Sequence, residues 1–434
     1  MAAQHQSGLR RFLFENSVFL IAGAAIALLW ANIPIPGAYP SYLEFLDTRL
    51  FPGGEAHHGA HGSGGGDRLF PFRLHHPFTL KVIIDDVLMA FFFAIAGKEV
   101  WEALLPGGPL SNPRKAAMPL LATLGGMVGP AGLYLLGCGI TAEMDHLGRG
   151  WAVPMATDIA FSYLVARFIF GPGHVAIPFL LLLAIADDAG GLIVLATAYP
   201  QQTIHAEWLG LTLVAVLGGF ALRRLRLQSF WWYLAIPGTL SWFSFYQVGI
   251  HPALGLLPII PTLPHAHTDL GLFARNELER EDTLNDFEHW FKNPVEIILG
   301  LFGLVNAGVL FSSMGTGTWL VVIALLVGKP LGISFFGWLG ERLFGLQLPQ
   351  GMTHRHLLVV GLVAGIGFTV ALFVAGVAFK QGHPAQDAVK MGALLSFAAV
   401  PLSILGARLL GVRAQGAPDD PADESSQDGP QNPS

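Results

Sequence analysis

The chain has 434 residues, of which 53% are hydrophobic and 12% charged, with a mean hydropathy of +0.54. Soluble domains carry charge on about a quarter of their residues, so this balance excludes an ordinary soluble enzyme or binding module and points to a membrane protein. The formal net charge of −6 is small for the length and is set largely by the C-terminal tail, which argues against a nucleic-acid partner; the single cysteine, Cys138, excludes an internal disulfide.

A bilayer core about 30 Å thick needs roughly 20 mainly apolar residues per helix, and that ruler gives about twelve spans. In chain order they fall near residues 16–32, 80–104, 116–141, 151–171, 175–198, 206–222, 229–249, 251–263, 294–311, 318–341, 356–379 and 385–410, the run from His251 being short and rich in proline. Cationic loops tend to stay in the cytoplasm. With the N-terminus inside, fifteen Lys and Arg fall on the cytoplasmic side and seven on the other, so both termini read as cytoplasmic. The expected organisation is a cytoplasmic N-terminus over 1–15, a membrane domain over 16–410 and a disordered cytoplasmic tail over 411–434 that is rich in Pro, Asp, Ser and Gln.

Two inter-span segments differ from the rest. Residues 33–78 form a long periplasmic loop containing GGEAHHGAHGSGGGDR, and its His57, His58, His61, His75 and His76 have no metal-ligand spacing, so it reads as a Gly-rich linker. Residues 264–293, with RNELEREDTLNDFEHWFK, read as an exposed charged cytoplasmic segment.

The chemistry is expected where charges fall inside spans, because an ionisable group at the bilayer centre is costly and marks an ion or proton path. These are Asp85, Asp86, Lys98, Glu99, Asp158, Asp187, Asp188, Glu296 and Lys329. Asp85, Lys98, Glu99 and Glu296 lie near span ends, where snorkelling or salt bridging accounts for them equally well. Asp158, Asp187, Asp188 and Lys329 have no such escape. In LAIADDAGGLIVLA the two acids point about 100° apart on a helix, so they serve separate jobs. One can be held by a cation while the other faces the path, and Lys329 in ALLVGKPLGIS is the lysine placed to hold it. A purely structural ion pair is the competing reading. In WAVPMATDIAFS, Pro154 and Thr157 loosen the turn before Asp158, and VVGLVAGIGFTVALF carries Gly361, Gly365, Gly367 and Thr369. Both can interrupt a helix, and interrupted helices point to a transporter's midplane site, although membrane glycines also serve packing.

WAVPMATDIAFS, LAIADDAGGLIVLA, VNAGV, GKPLGIS and VAGIGFT together resemble the NhaA-type sodium/proton antiporters of bacterial inner membranes, over about Val18 to Leu410. The resemblance implies an all-α polytopic fold of twelve transmembrane helices, with inverted repeats and two interrupted helices crossing at the midplane. It implies electrogenic sodium efflux, with lithium as a further substrate, in exchange for protons, and a homodimer in the lipid bilayer. It implies no enzyme activity and no cofactor, sodium and protons being cargo. Residue by residue, Asp188 resembles the principal ion-binding carboxylate, Asp187 its neighbour, and Thr157 an oxygen donor, so these three are the expected sodium site. Asp158 matches an acid against the positive ends of the half-helices and Lys329 a base against their negative ends or against Asp187. Asp86, Glu99, His251, Glu288 and His289 match a cytoplasmic cluster linked to pH control. Lys98, Ala103, Asp85 and Glu296 depart from the usual pattern there, which implies a shifted pH profile.

Other classes fit less well. An intramembrane aspartyl protease would need a GxGD signature and has no use for Lys329. A sodium-coupled carrier of an organic solute on a related fold does not need two adjacent acids with a buried lysine. A structural membrane subunit does not need interrupted helices.

Overall fold

The computed structural model describes residues 17–49, 68–69, 72–73, 79–265, 282–380 and 382–412. The five loop histidines, the C-terminal tail and most of the charged run that starts at His265 lie outside the described residues. The described chain is mostly helical. Helix α1 is Val18–Asn32, and a short α2 over Ala38–Leu46 follows it inside what the sequence reads as a loop. Arg68–Leu69 (β1) and Phe72–Arg73 (β2) pair antiparallel.

Helix α3 covers residues 80–104 and contains a π turn over Ile83–Leu88, the stretch that carries Asp85 and Asp86. Helix α4, Pro113–Ile140, starts with Asn112 accepting a bond from the Arg114 N–H at 3.1 Å, and Pro113 sits where a missing N–H costs nothing. The next pair is Met144–Met155 (α5), mostly 3₁₀, and Ile159–Phe170 (α6), bent by 54° across the intervening residues. Then come α7 over Ala176–Ala198, α8 over Ala206–Arg224 and α9 over residues 230–248, which contains a π turn at Leu234–Gly238. The Pro-rich run that follows is two 3₁₀ turns, Pro252–Leu254 and Leu257–Thr262, too short to cross a bilayer as one helix.

Helix α10 runs over Thr283–Asn306, beginning eleven residues before the expected span at 294 and passing through Pro294 without a break. Helix α11 covers Thr316–Phe344 with a π turn at Ala324–Gly328 immediately before Lys329. His354–Ala364 (α12) and Phe368–Ala378 (α13) form the second bent pair, at 53°, and α14 covers Pro384–Leu409. Five of these helices are long and apolar enough to span a membrane, and each bent pair passes the same test when taken as one span.

Helix packing sorts into two bundles. The first joins α1, α3, α8, α9, α10 and the 3₁₀ turns; the second joins α4 to α7 and α11 to α14; they meet chiefly along α3 against α7 and α10 against α13. Each bundle has a seam of backbone-to-backbone contact. A Cβ placed on Gly23 of α1 would lie 2.0 Å from the Gly300 carbonyl oxygen of α10, and one on Gly125 of α4 would lie 2.2 Å from that of Gly332 in α11. Small residues let helices approach this closely where lipid supplies no hydrophobic drive.

Candidate functional site

The two bends meet inside the second bundle. At the first, the chain leaves the 3₁₀ turn at Met155 because Ala156 and Asp158 are extended, and Asp158 then caps α6 by accepting from the Phe161 N–H at 3.3 Å. At the second, the Asp158 N–H donates to the Ile366 carbonyl at 2.7 Å. The same Asp158 carboxylate accepts from the Thr369 N–H at 3.2 Å and from the Thr369 hydroxyl. One buried acid thus faces the starts of both α6 and α13, where the amide dipoles leave partial positive charge.

The opposite charge sits on the other side of the break. Lys329, fully buried, donates from Nζ to the Met155 carbonyl, the last of the 3₁₀ turn, and to Asp187 Oδ2 at 2.9 Å. Thr157 Oγ1 donates to that same oxygen at 2.7 Å. Asp187 is therefore held by a cation and a hydroxyl through one oxygen, while its Oδ1 is buried with no hydrogen-bond partner among the described residues. An unpaired carboxylate oxygen is expensive to bury unless something uses it.

Asp188, one step round α7, is only partly buried and accepts no hydrogen bond among the described residues. It and Asp187 line a cavity at the junction of the bundles whose other walls include Phe92, Phe93, Met155, Leu192 and Val374. The two carboxylates place hard oxygen atoms in an otherwise apolar chamber, donors of the kind suited to a small hard cation, with the Thr157 hydroxyl behind them on Asp187.

Openings flank this chamber along the seam between bundles. One is a wide funnel of about 1840 Å³ lined by Glu99, Arg167, His174, Glu288, Lys292 and Glu296. Burial, with His356 beside it, pushes the His174 imidazole below its usual value. Lys98 is buried in the same region and is ion-paired with both Glu102 and Glu288, so it ties α3 to α10 and does not snorkel. The other opening is a smaller polar pocket of about 600 Å³ around Lys81, Asp85, Asp86, His251 and Asn306.

The sequence profile of the Na+/H+ antiporter 1 family matches residues 13–410. The chain belongs to that family. It is 50% identical over 428 residues to the Na(+)/H(+) antiporter NhaA of Jannaschia sp. (strain CCS1), covering 93% of this chain and 98% of the relative. It is 46% identical to the protein of that name from Geotalea uraniireducens (strain Rf4), covering 93% and 97%, and 44% identical to that of Geobacter sulfurreducens (strain ATCC 51573 / DSM 12127 / PCA), covering 92% and 97%.

For this member of the Na+/H+ antiporter 1 family, one sequence expectation needs correction: Asp86, Glu99, His251, Glu288 and His289 do not form one cluster. Asp86 and His251 lie 3.8 Å apart at the polar pocket, Glu99 and Glu288 line the funnel, and His289 is exposed on α10. Helical rise is the reason, because thirteen residues of α3 at about 1.5 Å each put roughly 20 Å between Asp86 and Glu99. Residue type marks neither the Met155 carbonyl at the break, which is main chain, nor Asn306 of VNAGV at the polar pocket, which carries no charge.

Proposed function

We propose that the chain is a secondary active transporter that extrudes sodium, and lithium, in exchange for protons. The observation that carries this is the pairing of Asp187 with Lys329 and Thr157 beside an Asp188 that faces the chamber without a bond of its own. Sodium and a proton exclude each other on one carboxylate, so a site open alternately to each face turns proton entry into sodium exit. Asp188 is the carboxylate where they compete, with the free oxygen of Asp187 and the Thr157 hydroxyl as further sodium ligands. Asp158 and Lys329 compensate the half-helix ends so that the broken backbone persists at membrane depth.

In this reading the polypeptide crosses the membrane twelve times. Inverted repeats set the two broken helices across each other at the midplane. It sits in a bacterial inner membrane with both termini cytoplasmic and works as a homodimer. Exchange moves more protons than sodium ions and is pH-controlled, the funnel acids Glu99 and Glu288, the Asp86–His251 pair and His289 being the sensing groups. The alternative of a sodium-coupled organic solute is disfavoured because the chamber walls are otherwise apolar and offer such a solute no polar partners. Purified protein in liposomes with an imposed sodium gradient tests the reading through internal pH. The native protein is expected to move protons in response to sodium or lithium and Asp188→Asn to move none; an undiminished response in Asp188→Asn overturns it.

A further inference from the structure

The polar pocket is the smaller of the two openings along the seam between the bundles, and it has a definite construction. At its mouth Lys81 of α3 pairs with Asp85 and donates to Asn306 Oδ1 of α10 at 2.7 Å, while Asn306 Nδ2 donates to Asp85 Oδ1 at 2.7 Å. All three belong to the first bundle. The contact that crosses the seam comes from α14 of the second bundle, where buried Lys390 donates from Nζ to the same Asn306 Oδ1 at 3.5 Å. One amide oxygen is thereby shared by two ammonium groups, one from each side.

Beneath this knot lies an aromatic layer that also crosses the seam. Phe373 of α13 meets Phe93 of α3 edge-on at 4.8 Å between centroids, the His251 ring at 4.9 Å and Phe302 of α10 at 6.1 Å. Phe373 faces the polar pocket and Phe93 faces the chamber of Asp187 and Asp188, so this layer is what separates the two spaces. No ion reaches Asp188 from the Lys390 face unless both layers part.

We propose that Lys390 and Asn306, with Lys81 and Asp85 holding Asn306 in place, form a latch that keeps this face closed, and that its release with the parting of Phe373 from Phe93 opens the chamber. This rests on the exchange reading, since a carrier must open its second face once per cycle. The cross-seam contact is a single long hydrogen bond into a site already satisfied by Lys81. That suits a latch that must open repeatedly, whereas a bidentate ion pair there would hold too firmly.

Accessibility tests the latch without relying on transport. In a Cys138→Ala background, a Val374→Cys reporter sits in the chamber behind the aromatic layer, and a membrane-impermeant maleimide is applied to the face that bears Lys390. Lys390→Met is expected to raise the labelling rate roughly tenfold, one decade in the population of the open form, while Lys390→Arg keeps the parental rate. In the same background, Asn306→Cys with Lys390→Cys joined by a cleavable bifunctional thiol reagent is expected to block labelling of the reporter and to stop exchange, both returning on cleavage. An unchanged labelling rate in Lys390→Met, or free labelling in the cross-linked protein, overturns the latch. Absence of sodium-dependent proton movement in the parent protein would instead overturn the exchange reading and leave the labelling comparison intact.

Discussion

Asp187 and Asp188 are neighbours in sequence with unlike surroundings, and the difference follows from the 100° turn between them. Lys329 and Thr157 both bind Oδ2 of Asp187, which fixes that side chain and leaves Asp188 open to the chamber. A buried pair stripped of one partner strands a charge, at a cost of about 3–5 kcal/mol. Lys329→Met is therefore expected to lower the unfolding temperature in detergent markedly, with Asp187→Asn added to it recovering most of the loss. Fluorescence-monitored melting of the two variants checks this; equal melting of Lys329→Met and the native protein would show the pair to be energetically idle. Sequence alone offered Lys329 as the partner of one of the acids, because it is a lysine deep in an apolar run. It could not offer the Met155 carbonyl, since any residue type supplies a carbonyl and only the break in the helix exposes this one.

Among the elements, the apolar runs that set α1, α3, α7 and α11 are readable from hydropathy, and Pro154, Thr157, Gly365 and Gly367 mark where α5/α6 and α12/α13 break. The π turns in α3, α9 and α11 are not readable, because the composition of IIDDVL, LAIPG or ALLVG does not distinguish them from ordinary helix. Nor does hydropathy say which glycines carry contact. Gly125 and Gly132 lie on the same helix, yet a Cβ on Gly125 would collide with Gly332 whereas one on Gly132 meets nothing within 4 Å. Gly125→Ala is expected to cost about 3 kcal/mol or more through overpacking, and Gly132→Ala to gain up to about 1 kcal/mol from helix propensity. Thermal aggregation of the two variants in the same detergent ranks them, and similar values for both would contradict the close approach of α4 to α11.

For the whole molecule, what matters is that the chamber carboxylates Asp187 and Asp188 belong to one bundle while the groups lining the two flanking openings come from both. Glu99, Glu288 and Glu296 of the first bundle face Arg167 and His174 of the second across the funnel, and at the other end Asn306 faces Lys390. The expected pH cluster divides within the first bundle, Asp86 and His251 at one opening and Glu99 and Glu288 at the other, because resemblance marks positions but carries no distance along α3. If exchange moves unequal charge, an imposed membrane potential must drive it, each net charge being worth about 2.3 kcal/mol per 100 mV. A potassium diffusion potential, negative inside, should draw protons into sodium-loaded liposomes without any pH gradient. An identical rate at zero potential would mean that the exchange is electroneutral.

The π turn just ahead of Lys329 carries one more residue than an α-helical turn would need. It works as a phase shifter: everything on the C-terminal side is rotated by about 100° from where an unbroken α-helix would put it. Deleting any one residue of ALLVG would leave every side chain of KPLGIS chemically intact and yet turn the ammonium away from Asp187 and the Met155 carbonyl, while Gly332 would lose its seat on Gly125. The ion pair is thus specified as much by a count of residues as by their identity, and length variation inside this helix is far less tolerable than substitution along its lipid-facing side.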